Sequence, residues 1–195
     1  MARIEPISGT PSDPLVARLV EEGERDGTPD ARIIRVYGRT DLGARWIEFC
    51  KAAMTEGLLP VRLQELVRIR MSVAEECGYC SSLRSKPAQE AGLTEEIVVQ
   101  MVDLDNAPDL DDREKAALRY ADLYRRGEID SDQVFEDLRR HFSDDEIIDL
   151  GILCGVLDGG GKFAKSLEVI TWAQACEVRP TLTALQEQVA GAAAV

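Results

Sequence analysis

Cys77-Gly-Tyr-Cys80 is the stretch of this sequence best equipped for chemistry. Cysteines at i and i+3 on a helix lie close enough for their sulfurs to bond. If Cys77 opens that helix, the unpaired N–H groups and the dipole of the first turn favour its thiolate. Arg84 follows four residues after Cys80, on the same face if the helix continues, and a guanidinium there would lower the Cys80 pKa. Glu65 joins the group by geometry. With a chain reversal near residues 75–76, Glu65 and Arg84 both lie about 12–15 Å from the turn and stand abreast in an antiparallel helix pair. Glu65 shares its stripe with Ile69 and Val73, so its carboxylate is expected to be partly buried and to need a partner, for which Arg84 is the candidate.

The elements that must position these residues read as helices throughout. Asp13 to Asp26 carries Leu15, Leu19 and Val20 on one side, and Gly27 to Pro29 breaks it. Trp46, Phe49, Cys50, Ala53 and Met54 fall on one helical face. Gly57 sits where a C-terminal cap belongs, with Pro60 after it. Val61 to about Ala74 forms the next helix, and residues 75–78 form the turn. A further helix then carries the cysteine pair toward Ala91-Gly92. Thr94 is a candidate N-cap, while Asp111/Glu114, Asp130/Gln133 and Ser143/Glu146 have capping-box spacing. Ile147 to Leu157 is apolar nearly all round and should be fully buried. Gly159-Gly160-Gly161 is expected to interrupt that helix, with a last core helix following to about Ala175. No strand alternation persists, so the fold class is all-α, with a central antiparallel helix pair carrying the CxxC motif. Residues 1–13 read as an N-terminal arm, 14–175 as one helical domain and 176–195 as a C-terminal tail.

Composition narrows the setting. The chain has 195 residues and a net charge of −13, which disfavours nucleic acid and anionic membrane partners. It lacks a long apolar run or a secretory h-region, so a cytoplasmic, reducing location is expected. A dithiol pair then reads as redox or metal chemistry. A zinc site would need about four ligands, and no second C-x-x-C occurs, so no metal and no cofactor is expected. Cys50, Cys154 and Cys176 read as buried small hydrophobes. His141, the one histidine, reads as a surface or helix-end residue, and Tyr79 as a packed aromatic. The glycine run before Lys162 fails the phosphate-loop spacing, since Val156 and Phe163 occupy required positions.

The spacing Glu65-x11-Cys77-x2-Cys80 resembles the motif of alkylhydroperoxidase D-like proteins within the carboxymuconolactone decarboxylase superfamily. Arg62 to Arg70, Asp112 to Ala121, Phe142 to Ile147 and the opening Ala2-Arg-Ile-Glu-Pro6 are similar to other segments of that family. The resemblance implies a helical homo-oligomer (dimer, trimer or hexamer) with thiol peroxidase activity. In it Cys80 attacks the hydroperoxide and Cys77 resolves the product. Glu65 belongs to a proton relay, and a lipoyl or thioredoxin-like carrier supplies electrons. The relay's other member is a histidine at the position of Arg84. Arginine cannot exchange a proton near neutral pH, so Glu65 and Arg84 would form a fixed ion pair. General acid–base help is worth about 10²–10⁴-fold, and peroxidase activity is expected to be weak. Two alternatives accompany this reading. One is a decarboxylase-like lyase holding a small lactone carboxylic acid with Arg84, Arg68 or Arg70. The other is a non-catalytic scaffold or sensor.

Overall fold

Residues 2–25 and 30–169 are described by the structure, a computed structural model, with Gly78 and Tyr79 described in their backbone alone. Among them every regular element is a helix, as the periodicity predicts. The order is α1 (Pro14–Arg25), α2 (Asp30–Tyr37), α3 (Asp41–Thr55), α4 (Val61–Ala74), α5 (Gly78–Ser82), α6 (Lys86–Glu90), α7 (Glu95–Gln100), α8 (Asp112–Arg126), α9 (Asp132–Arg139) and α10 (Asp144–Ser166). A 3₁₀ turn spans Leu104–Asn106. No described helix is long and apolar enough to cross a membrane.

The core is organised around α4, which packs against α5, α6, α8 and α10. Leu66, Val67 and Ile69 of α4, Leu118 of α8 and Leu150 and Leu153 of α10 are almost fully buried. Burying a side chain of this size contributes about 1.5–3 kcal/mol. Helix α4 is enclosed on most sides, yet its sequence Val-Arg-Leu-Gln-Glu-Leu-Val-Arg-Ile-Arg is rich in charge. The arginines reconcile the two, because each carries its charge to a carboxylate at the edge of the core. Arg62 meets Glu114 at 2.8 Å, Arg68 meets Glu65 at 2.8 Å and Arg70 meets Asp122 at 2.6 Å.

Helix ends follow local chemistry. Thr94 caps α7 through the Ile97 N–H. Asp111 with Glu114 and Ser143 with Glu146 form reciprocal capping boxes on α8 and α10. The third expected box does not form. Ser131, not Asp130, caps α9, its hydroxyl accepting from the Val134 N–H.

Further expectations are corrected. Helix α2 occupies residues that gave no clear helical signal, and α3 begins at Asp41 rather than near Trp46. The glycine run does not break α10, which continues from Asp144 to Ser166. Glycine costs helix stability, but here it serves packing: a Cβ on Gly160 would lie 3.3 Å from the Trp46 ring. Finally, Ile147–Leu157 is not buried all round, since Ile148 is 59 % and Ile152 40 % exposed. These two lie one turn apart on an outward stripe of α10. The chain turns away after Ser166, so the helical stretch expected to reach Ala175 stops there. The remainder of that stretch, residues 176–195 and Cys176 lie outside the described residues.

Candidate functional site

The reversal between α4 and α5 is a Schellman motif, in which the Cys77 N–H donates to the Ser72 carbonyl (3.0 Å) and the Glu76 N–H to the Val73 carbonyl (2.9 Å). Such motifs place one residue in the left-handed region, normally glycine. Here it is Glu76, with φ 53°. Helix α8 ends the same way with Gly127 at φ 73°. The turn delivers Cys77 to the N-cap of α5, where its Sγ accepts from the Cys80 N–H at 3.2 Å. Cys77 thus opens a helix, as expected, and the two cysteines form a disulfide across a Cα–Cα distance of 5.3 Å.

Helix α5 lasts one turn. Leu83 is extended, and Ser85 caps a new helix, its hydroxyl accepting from the Ala88 N–H. The cysteine helix therefore does not continue to Ala91, and Arg84 does not occupy the face of Cys80. Its side chain, 1 % exposed, turns to Glu95 in a two-pronged pair of 2.8 and 3.0 Å. Its Nη1 donates to the Ser81 and Leu83 carbonyls.

Glu65 is buried, as its stripe predicts, but its ion-pair partner is Arg68 rather than Arg84. Arg68 lies three residues on in the same helix and donates to Glu65 through two hydrogen bonds of 2.8 and 2.9 Å. The Ser85 N–H adds a third at 2.8 Å. Arg68 also donates to the Cys80 carbonyl, and to the Leu83 carbonyl at 2.8 Å. One guanidinium thus ties the buried carboxylate to both ends of the segment after the disulfide. Burial alone would raise the Glu65 pKa. The Arg68 hydrogen bonds and charge, the Ser85 N–H and the more distant charge of Arg84 together bring it below the ordinary carboxylate range. Glu65 is held ionised.

Two cavities flank Arg68. The larger, about 930 Å³, is mainly apolar and opens onto Cys77 and Cys80, with Trp46, Tyr37 and Cys50 on its walls. The smaller, about 600 Å³, includes Gln64, Glu65, Arg84 and Ser85. Met54, Arg68 and Leu83 contribute to both. Cys50 is half-buried rather than enclosed, so its reading as a core thiol is corrected, while Cys154 is fully buried. Burial pushes the Cys50 thiol up to about 11 and the Cys154 thiol to about 12, Asp158 adding to the latter. Tyr37 is pushed up to about 12, first by burial and then by Cys50. His141 follows α9 and lines neither cavity. Arg70, weighed as a carboxylate anchor, bonds Asp122 in two places and the Met101 carbonyl. Sequence reasoning missed Arg68 as the partner of Glu65, although the i, i+3 spacing was available. It also missed the break before α6, which Ser85 followed by Pro87 announces.

The model of the carboxymuconolactone decarboxylase family matches residues 40–123. Two uncharacterized proteins of Mycobacterium tuberculosis, from strains CDC 1551 / Oshkosh and H37Rv, are 37 % identical over 110 residues. That alignment covers 51 % of this chain and 38 % of either relative, so the chain spans well under half the length of these relatives. Among solved structures, a putative antioxidant defence protein AhpD from Agrobacterium tumefaciens superposes with TM-score 0.58 at 24 % identity, covering 65 % of this chain and 88 % of that one. The alkylhydroperoxidase AhpD core of Ralstonia eutropha JMP134 gives 0.66 at 19 %, covering 85 % of both. A cysteine-to-alanine variant of the debrominase Bmp8, bound to 2,3,4-tribromopyrrole, gives 0.69 at 18 %, covering 92 % of this chain and 98 % of that one.

Proposed function

We propose that this chain, whose residues 40–123 match the carboxymuconolactone decarboxylase family model and whose fold resembles AhpD structures, is an alkylhydroperoxidase D-like protein that reduces organic hydroperoxides through the Cys77–Cys80 dithiol. The observation that carries this reading is a disulfide at the wall of an apolar cavity, with its backbone held by the Glu65–Arg68 pair.

The cycle starts from the reduced pair. The Cys80 thiolate attacks a peroxide oxygen and breaks the O–O bond, leaving a sulfenic acid and an alkoxide that takes a proton from water. The Cys77 thiolate then attacks the Cys80 sulfur, forming the disulfide and expelling hydroxide, which takes up the proton that Cys77 gave up. An external dithiol, of lipoyl or thioredoxin-like type, returns two electrons and two protons and is itself oxidised to a disulfide. The Cys80 N–H pointing at Cys77 Sγ favours the thiolate that this condensation needs.

Glu65 acts as a fixed countercharge and not as a proton donor, because Arg68 and Ser85 hold it ionised. Arg84 stands with Glu95 and supplies no proton either. With proton delivery left to water, turnover is slow by about the 10²–10⁴-fold that a positioned acid provides. The lyase alternative loses support, since Arg68, Arg70 and Arg84 are all committed to carboxylates. The outward Ile148 and Ile152 support a homo-oligomer with a second copy over α10.

The test is consumption of cumene hydroperoxide with dihydrolipoamide as donor, by wild type and by Cys80→Ser. The variant should lose turnover. Equal rates in the two proteins would contradict the proposal.

A further inference from the structure

Two lysines of α10 reach across to the reversal that presents Cys77. Lys162 and Lys165 are the two basic residues of that helix and lie one turn apart, on one face. Lys165 Nζ donates to the Glu75 carbonyl at 2.9 Å and stands 3.8 Å from the Glu76 carboxylate. Lys162 Nζ donates to Asp158 at 2.6 Å and stands 4.0 Å from the Glu75 carboxylate. Both lysines line the thiol cavity together with Cys77 and Cys80.

What they meet there is negative charge next to a thiol. Glu75 and Glu76 are the two residues before Cys77. The Glu75 side chain is 14 % exposed, so water screens its carboxylate poorly. Carboxylates this near disfavour a thiolate. Asp30 of α2 adds a further acid to the cavity wall. The other cations around the sulfurs are spent elsewhere: Arg68 on Glu65, Arg3 on Glu168 and Arg84 on Glu95. Lys162 and Lys165 are the cations placed against Glu75 and Glu76.

We infer that Lys162 and Lys165 are positioning residues of the thiol site: by offsetting Glu75 and Glu76 they let Cys77 give its proton to water and attack the Cys80 sulfur as a thiolate. The consequence for turnover rests on the peroxidase reading, while the ionisation of Cys77 does not.

Cys77 is measured alone, in a full-length Cys80→Ser background and without peroxide, by iodoacetamide alkylation against pH with peptide mass mapping. Adding Lys162→Met and Lys165→Met should move the whole profile to higher pH and slow alkylation at neutral pH at least about threefold, the thiolate lost in a shift of about half a pKa unit. Both lysine side chains are about half exposed, so these variants keep the core intact. Lys162→Arg with Lys165→Arg should keep the original profile, because the charges remain. Adding Glu75→Gln and Glu76→Gln to the methionine variant should return the profile toward the original, which a purely structural role for the lysines would not do. The shift should also shrink in about 1 M salt, where the Debye length is about 3 Å. The inference is overturned by an unchanged profile in the methionine variant at low salt, by arginine behaving as methionine does, by no return on removing the two glutamates, or by a shift that salt leaves intact. Absent peroxidase turnover would change none of these readouts, so the two proposals fail separately.

Discussion

Arg68 holds Glu65 through a two-pronged hydrogen bond within one helix while donating to the Cys80 carbonyl of the next. This contact joins the buried charge of α4 to the disulfide segment.

Breaking that pair should be expensive. The two side chains are 12 % and 6 % exposed, and removing one partner of a buried pair costs about 3–5 kcal/mol. Arg68→Ala and Glu65→Gln should each lose stability on this scale in urea denaturation. Arg68→Lys should lose less, because it keeps the charge but not the fork. Losses under about 1 kcal/mol for all three would mean the pair is solvated in solution.

The same pair sets an acid dependence. Glu65 has its pKa lowered in the fold, so its contribution is fully present above the unfolded value of 4.5 and is lost as pH falls through the folded value. Wild type should therefore lose stability below about pH 4.5 more steeply than Glu65→Gln, the difference between the two curves isolating this carboxylate. Parallel curves would contradict the assignment.

The thiols should separate by reactivity. Cys50, near 11, and Cys154, near 12, are protonated at pH 8. After mild reduction, iodoacetamide at that pH should modify Cys77 and Cys80 first, read by peptide mass mapping. Cys154 should react only on unfolding. Early labelling of Cys154 would show that α10 opens.

Glu76 occupies a left-handed position that glycine accepts without cost. Glu76→Gly should stabilise the protein by up to about 1 kcal/mol, within the penalty of about 1–2 kcal/mol for an L-residue there. It should leave the disulfide in place. Destabilisation would mean that the contact of Glu76 with Lys165, at 3.8 Å, outweighs the backbone term.

Much of this was legible in the sequence. The apolar stripe of α4, the reversal before Cys77 and the burial of Glu65 all follow from periodicity and from the cost of an unpaired charge. The identity of its partner did not follow, because a one-turn helix and an extended Leu83 rotate Arg84 away from the cysteines. Ser85 and Pro87 carry that signal locally, but a periodicity reading smooths over it. The continuity of α10 through three glycines is not legible locally; at Gly160 the absent side chain leaves room for the ring of Trp46.

The most direct measurement follows the two sulfurs through one turnover. Fully reduced protein is mixed with one equivalent of cumene hydroperoxide, quenched with acid and an alkylating agent, and mapped by mass spectrometry. A linked Cys77–Cys80 peptide that has lost two hydrogens should form in step with cumyl alcohol. Peroxide consumed while Cys77 and Cys80 both remain alkylatable thiols would contradict the proposed cycle.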